Sequence, residues 1–375
     1  MLDRRHPGML LLRDAQRTDI ASISRLAKVL NTVNLPADER ALARILDRSV
    51  RSFSGKIRDP LERHYVFVAE EPRSRRIVGT SMVIAQHGTR ESPCTFFDVS
   101  EREHYSSTLD RHFKHQVLSI GFHFDGPTEI GGLVVDPAQR GGEARAGKQL
   151  SFVRFLYMAM HRDRFRETVL AELMPPLTKD GRSAFWEAFG KRFTDLDYQT
   201  ADKKSRENKE FIQQLFPNVD VYATLFTGSV RRLLGTVGAH SEPVKHMLEK
   251  IGFRYVSRID PFDGGPHYEA RLADVTLVRA ARRARLARVV LDHDAEDWLV
   301  GLSRPDGRVR FRAVRTQGRI DGEEVRLPAG ARERLGAEPG ERLHLVPFEQ
   351  GVSPPAPDRR RPAPGNGPRT RARAR

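Results

Sequence analysis

Residues 128–160, TEIGGLVVDPAQRGGEARAGKQLSFVRFLYMAM, constrain this chain more than any other stretch. Residues 129–135 are apolar and β-branched, and Asp136-Pro137 ends them, because proline cannot extend a hydrogen-bonded ladder. Residues 139–147 follow with two arginines and three glycines. From Lys148 onward, Leu150, Val153, Phe155, Leu156 and Met160 recur at helical spacing. The stretch therefore reads as strand, basic glycine-rich loop, helix. Such a loop aims free backbone N–H groups out of a helix N-terminus toward phosphate oxygens, and glycines let the phosphate approach the backbone. It is not a P-loop, since no G-x-x-x-x-G-K-[S/T] occurs and Gln149 follows Lys148.

The charge pattern fits an anionic ligand. The net charge is +15, but residues 351–375 hold seven arginines against one aspartate, and residues 279–288 add five more. Most of the excess thus sits in two stretches, and the body is only mildly basic. The single cysteine, Cys94, forbids an intramolecular disulfide and fits a reducing compartment, here expected to be the cytoplasm. No apolar run approaches the ~20 residues of a membrane helix. Neither a membrane nor nucleic acid is expected as a partner.

Taken in order, residues 9–13 read as a strand, and helices follow around Ile20 to Leu30 and Ala41 to Val50. Residues 64–70 and 76–86 read as neighbouring strands. Residues 96–99 and 117–124 read as two more, joined by a polar, histidine-bearing connection. Residues 168–173 form a strand after the long helix. Residues 183–193 and 208–216 read as helices, 244–251 as another, and 253–259 and 267–272 as strands. Residues 285–348 have the composition of a small barrel. Beyond Gly351, six prolines and seven arginines without an apolar pattern predict a disordered tail.

The strand-loop-helix resembles the acyl-CoA pyrophosphate loop of the N-acetyltransferase superfamily. Arg140, Gly141, Gly142, Ala146 and Gly147 stand at its positions, with two extra residues between Arg140 and Gly147. Longer runs carry a narrower resemblance: 169–173 (VLAEL), 181–193 (GRSAFWEAFGKRF), 197–202 (DYQTAD), 209–217 (KEFIQQLFP), 248–255 (LEKIGFRY) and 260–269 (DPFDGGPHYE). With Leu35-Pro36-Ala37 and residues 325–346, they cover about residues 9–348. They resemble the arginine N-succinyltransferase family.

That resemblance implies an α+β fold of two N-acetyltransferase-like halves, 9–174 and 175–284, around a mixed sheet. A β-rich barrel, 285–348, and the tail, 349–375, complete the expectation. It implies transfer of a succinyl group from succinyl-CoA to the α-amino group of arginine, without a metal and in an oligomer. Acyl-CoA is expected at Leu133, Val135, Arg140, Gly141, Gly142, Ala146, Gly147 and Lys148, with Leu133 on the family's acyl-CoA-binding leucine. An amine attacking a thioester needs no enzyme nucleophile, so Cys94 is read as a packing residue. It does need a base for the amine proton, an acid for the thiolate and an N–H for the oxyanion.

Two positions depart from the family. Its proton-donating histidine, in a G-Q-V-H-P run, aligns with Gly238, and His240 lies two residues on. His240 and Glu172 are the catalytic candidates, with His104, His112, His115 and His123 as further histidines. The family's A-E-M-R-G run is here AELMP, so Met174 replaces an arginine, the usual partner of a succinyl carboxylate. Arg182 and Arg154 are the available substitutes. The alternatives are an N-acyltransferase with another donor or amine, and a non-catalytic protein using the basic helix near 279–288 and the tail.

Overall fold

The structure is a computed structural model that describes residues 9–30, 35–36, 38–89, 92–205, 208–291, 295–307 and 309–349. Its elements follow the apolar periodicity of the chain. In order they are β1 Leu11–Asp14, α1 Ile20–Leu30, α2 Glu39–Phe53, β2 His64–Glu70, β3 Ile77–Ile84, β4 Cys94–Ser106, β5 Arg111–His123, β6 Thr128–Val135, α3 Ala146–Met160 and β7 Thr168–Glu172. Then come α4 Ala184–Ala188, α5 Gly190–Thr194, α6 Tyr198–Ser205, α7 Glu210–Leu215, β8 Val221–Tyr222, α8 Gly228–Leu233, α9 Glu242–Lys250, β9 Arg254–Ile259, β10 Pro266–Arg271 and α10 Thr276–Arg279. The last are β11 Arg282–Leu286, β12 Glu296–Ser303, β13 Phe311–Asp321, β14 Glu324–Arg326, α11 Ala329–Leu335 and β15 Arg342–Pro347.

The main sheet runs β1-β2-β3-β6-β7-β10-β9-β4-β5-β8. On one face α1 and α2 bury Ile23, Leu26, Leu42 and Leu46 against Val66, Val68, Met82 and Val134. On the other, α3 buries Leu150, Val153 and Tyr157 against Phe67, Val78 and Val83. Ser183, accepting from Trp186 N at 3.0 Å, caps α4. The aromatic side chains of α4 and α5 then pack with Phe97, Leu118 and Phe216 over the far end of the sheet. Strands β12, β15, β11, β14 and β13 close on themselves through the β12–β13 pairing, giving the expected barrel with its own core. Strand β13 also pairs with β1, which ties the barrel to the main sheet.

Several expectations change. Strands β9 and β10, from the second expected half, join the sheet begun by β1, and among the described residues no second strand-loop-helix accompanies them. The polar connection after Val99 is itself strand. Strands β4 and β5 pair from Cys94↔His123 to Ser106↔Arg111 as one long hairpin whose outer half is exposed on both faces. The single aromatic helix is two, because Gly190 lies against the Trp186 indole and breaks the run at Phe189. The arginines of residues 282–286 lie on β11, not on a helix, with Ala284 and Leu286 turned into the barrel core. The tail and residues 31–34 lie outside the described residues.

Candidate active site

Strands β6 and β7 run parallel but pair only at Thr128↔Val169 and Glu129↔Leu170. Beyond that point β6 follows β3 and β7 follows β10, so the two part. An irregularity in the β3–β6 register accompanies Gly132, whose φ of 56° is the left-handed conformation that glycine adopts without strain. Gly131, Gly132 and Leu133 are only half-buried along the resulting gap.

At the outer end of the gap lies the basic loop. Asp136 fixes its start by accepting from Ala138 N at 3.1 Å and pairing with Arg25 and Arg76 at 3.0 and 3.3 Å. Arg140 Nε donates to the Val135 carbonyl at 3.2 Å. Arg145, left-handed at φ 51°, turns the chain into α3, which begins at Ala146, two residues before the position read from the sequence. The first amides of a helix lack acceptors within it. A Cβ on Gly147 would meet only Val135 Cγ2, at 3.7 Å, so packing within the chain does not require glycine here. Lys148 Nζ lies 3.2 Å from Glu349 Oε2 and 4.4 Å from the Phe348 ring centroid. Arg145 also pairs with Glu349, and the Arg315 guanidinium stacks on Phe348 at 4.3 Å. Burial outweighs Glu349 and lowers the Lys148 pKa. Sequence reasoning missed Arg315, Phe348 and Glu349, because only closure of the barrel brings them here.

At the inner end lies an acid-and-histidine pocket. Register places Glu129, Glu172 and His267 on the sheet face shared with Met82 and Ile84. His87 Nδ1 is 2.5 Å from Glu129 Oε2, and His267 Nε2 is 3.5 Å from Glu172 Oε1. Donor atoms of Glu172, Asp260 and His267 all lie within 4.8 Å of one another, as do those of His87, Cys94 and Glu172. The run DPFDGGP explains how Asp260 reaches this place. Its carboxylate accepts from Phe262 N at 2.7 Å, and a Cβ on Gly265 would lie 2.4 Å from the Leu173 carbonyl, so only glycine lets the turn meet the end of β7.

Burial, then Glu129, raises the Glu172 pKa; burial, then Glu172, raises that of Asp260 to about 6. Burial raises Asp263 well above the ordinary range and lowers His267 to about 4, so His267 is neutral at pH 7. Burial opposes the charge on Lys209, yet Glu172 and Asp260 hold its ammonium above its usual range. Burial pushes the Cys94 thiol up, which makes it a poor nucleophile and agrees with a packing role. A pocket of carboxylates around a neutral histidine suits a cationic amine that must lose a proton. The same donors, two imidazoles, a thiol and carboxylates, would also accept a divalent ion of borderline softness.

Other candidates lie outside this pocket. Gly238 N donates to the Met174 carbonyl at 2.8 Å, and a Cβ there would stand 2.8 Å from the Pro175 carbonyl. That approach leaves no room for a side chain at the position where the family has histidine. His240 is exposed in the turn before α9. His104, His112 and His115 lie on the outer half of the β4–β5 hairpin. His123 lies beside Arg258, 3.3 Å away, over Phe96. Met174 is half-buried; Arg182 is exposed and bound to Asp180 at 2.9 Å. Arg154 is 2% exposed and donates to Ser151 O and Oγ, and burial lowers its pKa to about 9.

Comparison with known proteins narrows the reading. Residues 10–277 match the family described as arginine N-succinyltransferase beta subunit, and residues 282–347 match its C-terminal domain. The chain is 31% identical over 350 residues to an arginine N-succinyltransferase of Yersinia pestis, covering 90% of this chain and 97% of that one. An Enterobacter relative of the same name is 32% identical over 342 residues, covering 90% and 97%. A solved structure, arginine/ornithine succinyltransferase subunit AI from Pseudomonas aeruginosa, superposes with a TM-score of 0.78 at 27% identity, covering 92% of this chain and all of that one. With its sheet, its gap between two parallel strands and its terminal barrel, this chain belongs to the arginine N-succinyltransferase family.

Proposed function

We propose that the protein transfers a succinyl group from succinyl-CoA to the α-amino group of arginine. One observation carries this: a single gap between β6 and β7 has a cationic helix N-terminus at one end and a carboxylate pocket at the other. The donor is an anion at its pyrophosphate and the acceptor is a cation, so each end suits one substrate. In this reading the loop residues Arg140, Gly141, Gly142, Ala146, Gly147 and Lys148 bind the pyrophosphate, and Val135 flanks it. The backbone N–H of Leu133 stabilises the oxyanion of the thioester carbonyl.

Glu172 takes the proton from the amine. Its raised pKa brings it nearer the amine's, and neutral His267 orients it. The amine then attacks the thioester carbon, and the carbon–sulfur bond breaks as the tetrahedral intermediate collapses. We assign protonation of the leaving thiolate to His240, two residues beyond Gly238, whose amide donates to the Met174 carbonyl just past the end of β7. No metal takes part in this scheme. We also infer a cytoplasmic, oligomeric enzyme, on the subunit label of the matching family and the lone Cys94.

Met174 and the outward pairing of Arg182 with Asp180 favour a second reading, an N-acyltransferase with a different donor. Rates of thiol release with succinyl-CoA and acetyl-CoA, each against arginine, ornithine and lysine, separate the two. The first reading predicts the highest kcat/KM for succinyl-CoA with arginine. A preference for acetyl-CoA would select the second.

A further inference from the structure

Where β13 leaves the barrel to pair with β1, the structure holds a cavity of about 570 Å3, away from the gap between β6 and β7. That volume is within the range of small-molecule sites. Five arginines line it, Arg13, Arg75, Arg304, Arg310 and Arg312, with Leu302 and Leu335 as apolar wall. The register places Arg13 directly opposite Arg312, a like-charge cross-strand pair that opposes the very pairing that docks the barrel.

Nearby carboxylates answer part of this charge: Asp14 lies against Arg310, accepting from its backbone N–H at 2.9 Å, and leaves Arg312 to the other acids. Asp19 and Glu70 each hold buried Arg13 at 2.8 Å, and Glu70 also pairs with Arg75 at 3.2 Å. Glu341 holds Arg304 at 2.6 Å. The Arg312 side chain makes no hydrogen bond or ion pair among the described residues. Just outside, burial and the charges of Arg75 and Arg312 outweigh Glu70 and lower the Arg334 pKa. Guanidinium groups gathered with too few carboxylates suit the bidentate recognition of phosphate or carboxylate oxygens.

We propose that this cavity is a second anion site, separate from the acyl-CoA loop, that binds a small polyanion of phosphorylated or polycarboxylic type. Its occupant bridges Arg312 on β13 and Arg75 on the turn before β3, across the seam between barrel and sheet.

The test is calorimetric titration of the full chain with pyrophosphate and, separately, citrate, at constant ionic strength. Saturating CoA is present to fill the acyl-CoA loop. One of the two anions should bind at a single site, and the tighter one identifies the ligand type. R312S and R75S should each weaken that binding at least tenfold and leave CoA affinity unchanged. Arg75 has 79% of its side chain exposed, so R75S does not threaten folding. R312S without ligand should melt no lower than the parent, because the charge facing Arg13 is gone. Absence of binding by both anions in the presence of CoA, or full affinity in the R75S/R312S double variant, would overturn the proposal.

Discussion

Among single residues, Glu172 carries the most weight, because its carboxyl reaches both imidazole groups of the pocket. If it is the base, Glu172→Gln lowers kcat by ~10²–10⁴-fold while acyl-CoA affinity stays within about twofold. Its protonated form is inactive, so kcat/KM rises with pH through a value above the ordinary carboxyl range, where burial and Glu129 have moved it. A rate independent of pH below 7 would count against the assignment. Asp260 shows the opposite side of the same environment. Its folded-state pKa, about 6, exceeds the unfolded value, so folding stability falls as pH rises between ~4 and 6. Asp260→Asn should therefore raise Tm at pH 8, by about 2 °C, and raise KM for arginine; a lower Tm at that pH would contradict it. The sequence pointed to Glu172, through the AELMP run that resembles the family's A-E-M-R-G, and to the DPFDGGP run. It did not disclose His87 or His267. Both are ordinary histidines in sequence: the β7–β10 register sets His267 beside Glu172, and the loop after β3, bonded to the Pro127 carbonyl, sets His87 beside Glu129.

Among elements, the loop and α3 were the most legible, since glycines, arginines and a long apolar stripe mark strand, turn and helix. Replacing Gly147 with phenylalanine should raise the acyl-CoA dissociation constant at least tenfold, ~1.4 kcal/mol or more. A Cβ there meets only ordinary contact with Val135, so the fold should survive, and unchanged binding in the folded variant would remove the loop from the site. Glu349 makes a second test of the same element. It neutralises Arg145 and Lys148, so Glu349→Gln should tighten acyl-CoA binding by about two- to fivefold, the scale of an exposed ion pair. Weaker binding would mean that Glu349 orders the loop instead. The outer half of the β4–β5 hairpin was illegible for a physical reason. With both faces exposed, SEREHYS and RHFKHQ carry none of the apolar alternation by which a half-buried strand is read.

At the scale of the whole molecule, the barrel was readable from composition, but the continuous sheet that β9 and β10 extend was not. Strands β9 and β10 extend the first sheet because the edge of β7 was available to β10, and β4 then adds to β9 across about 160 residues of chain. Pairings of that separation leave no local trace. The tail is a simpler matter. Residues 351–375 have no apolar pattern, so truncation after residue 350 should leave kcat unchanged, and an intact fold with lost turnover would contradict that. The central claim joins both ends of one gap in a single reaction. The most direct measurement follows thiol release from succinyl-CoA with and without arginine and identifies the product by nuclear magnetic resonance. The account predicts arginine-dependent release, one thiol for each succinyl amide, with the acyl group on the α-nitrogen. Thiol release indifferent to arginine, or acylation of the guanidinium instead, would contradict it.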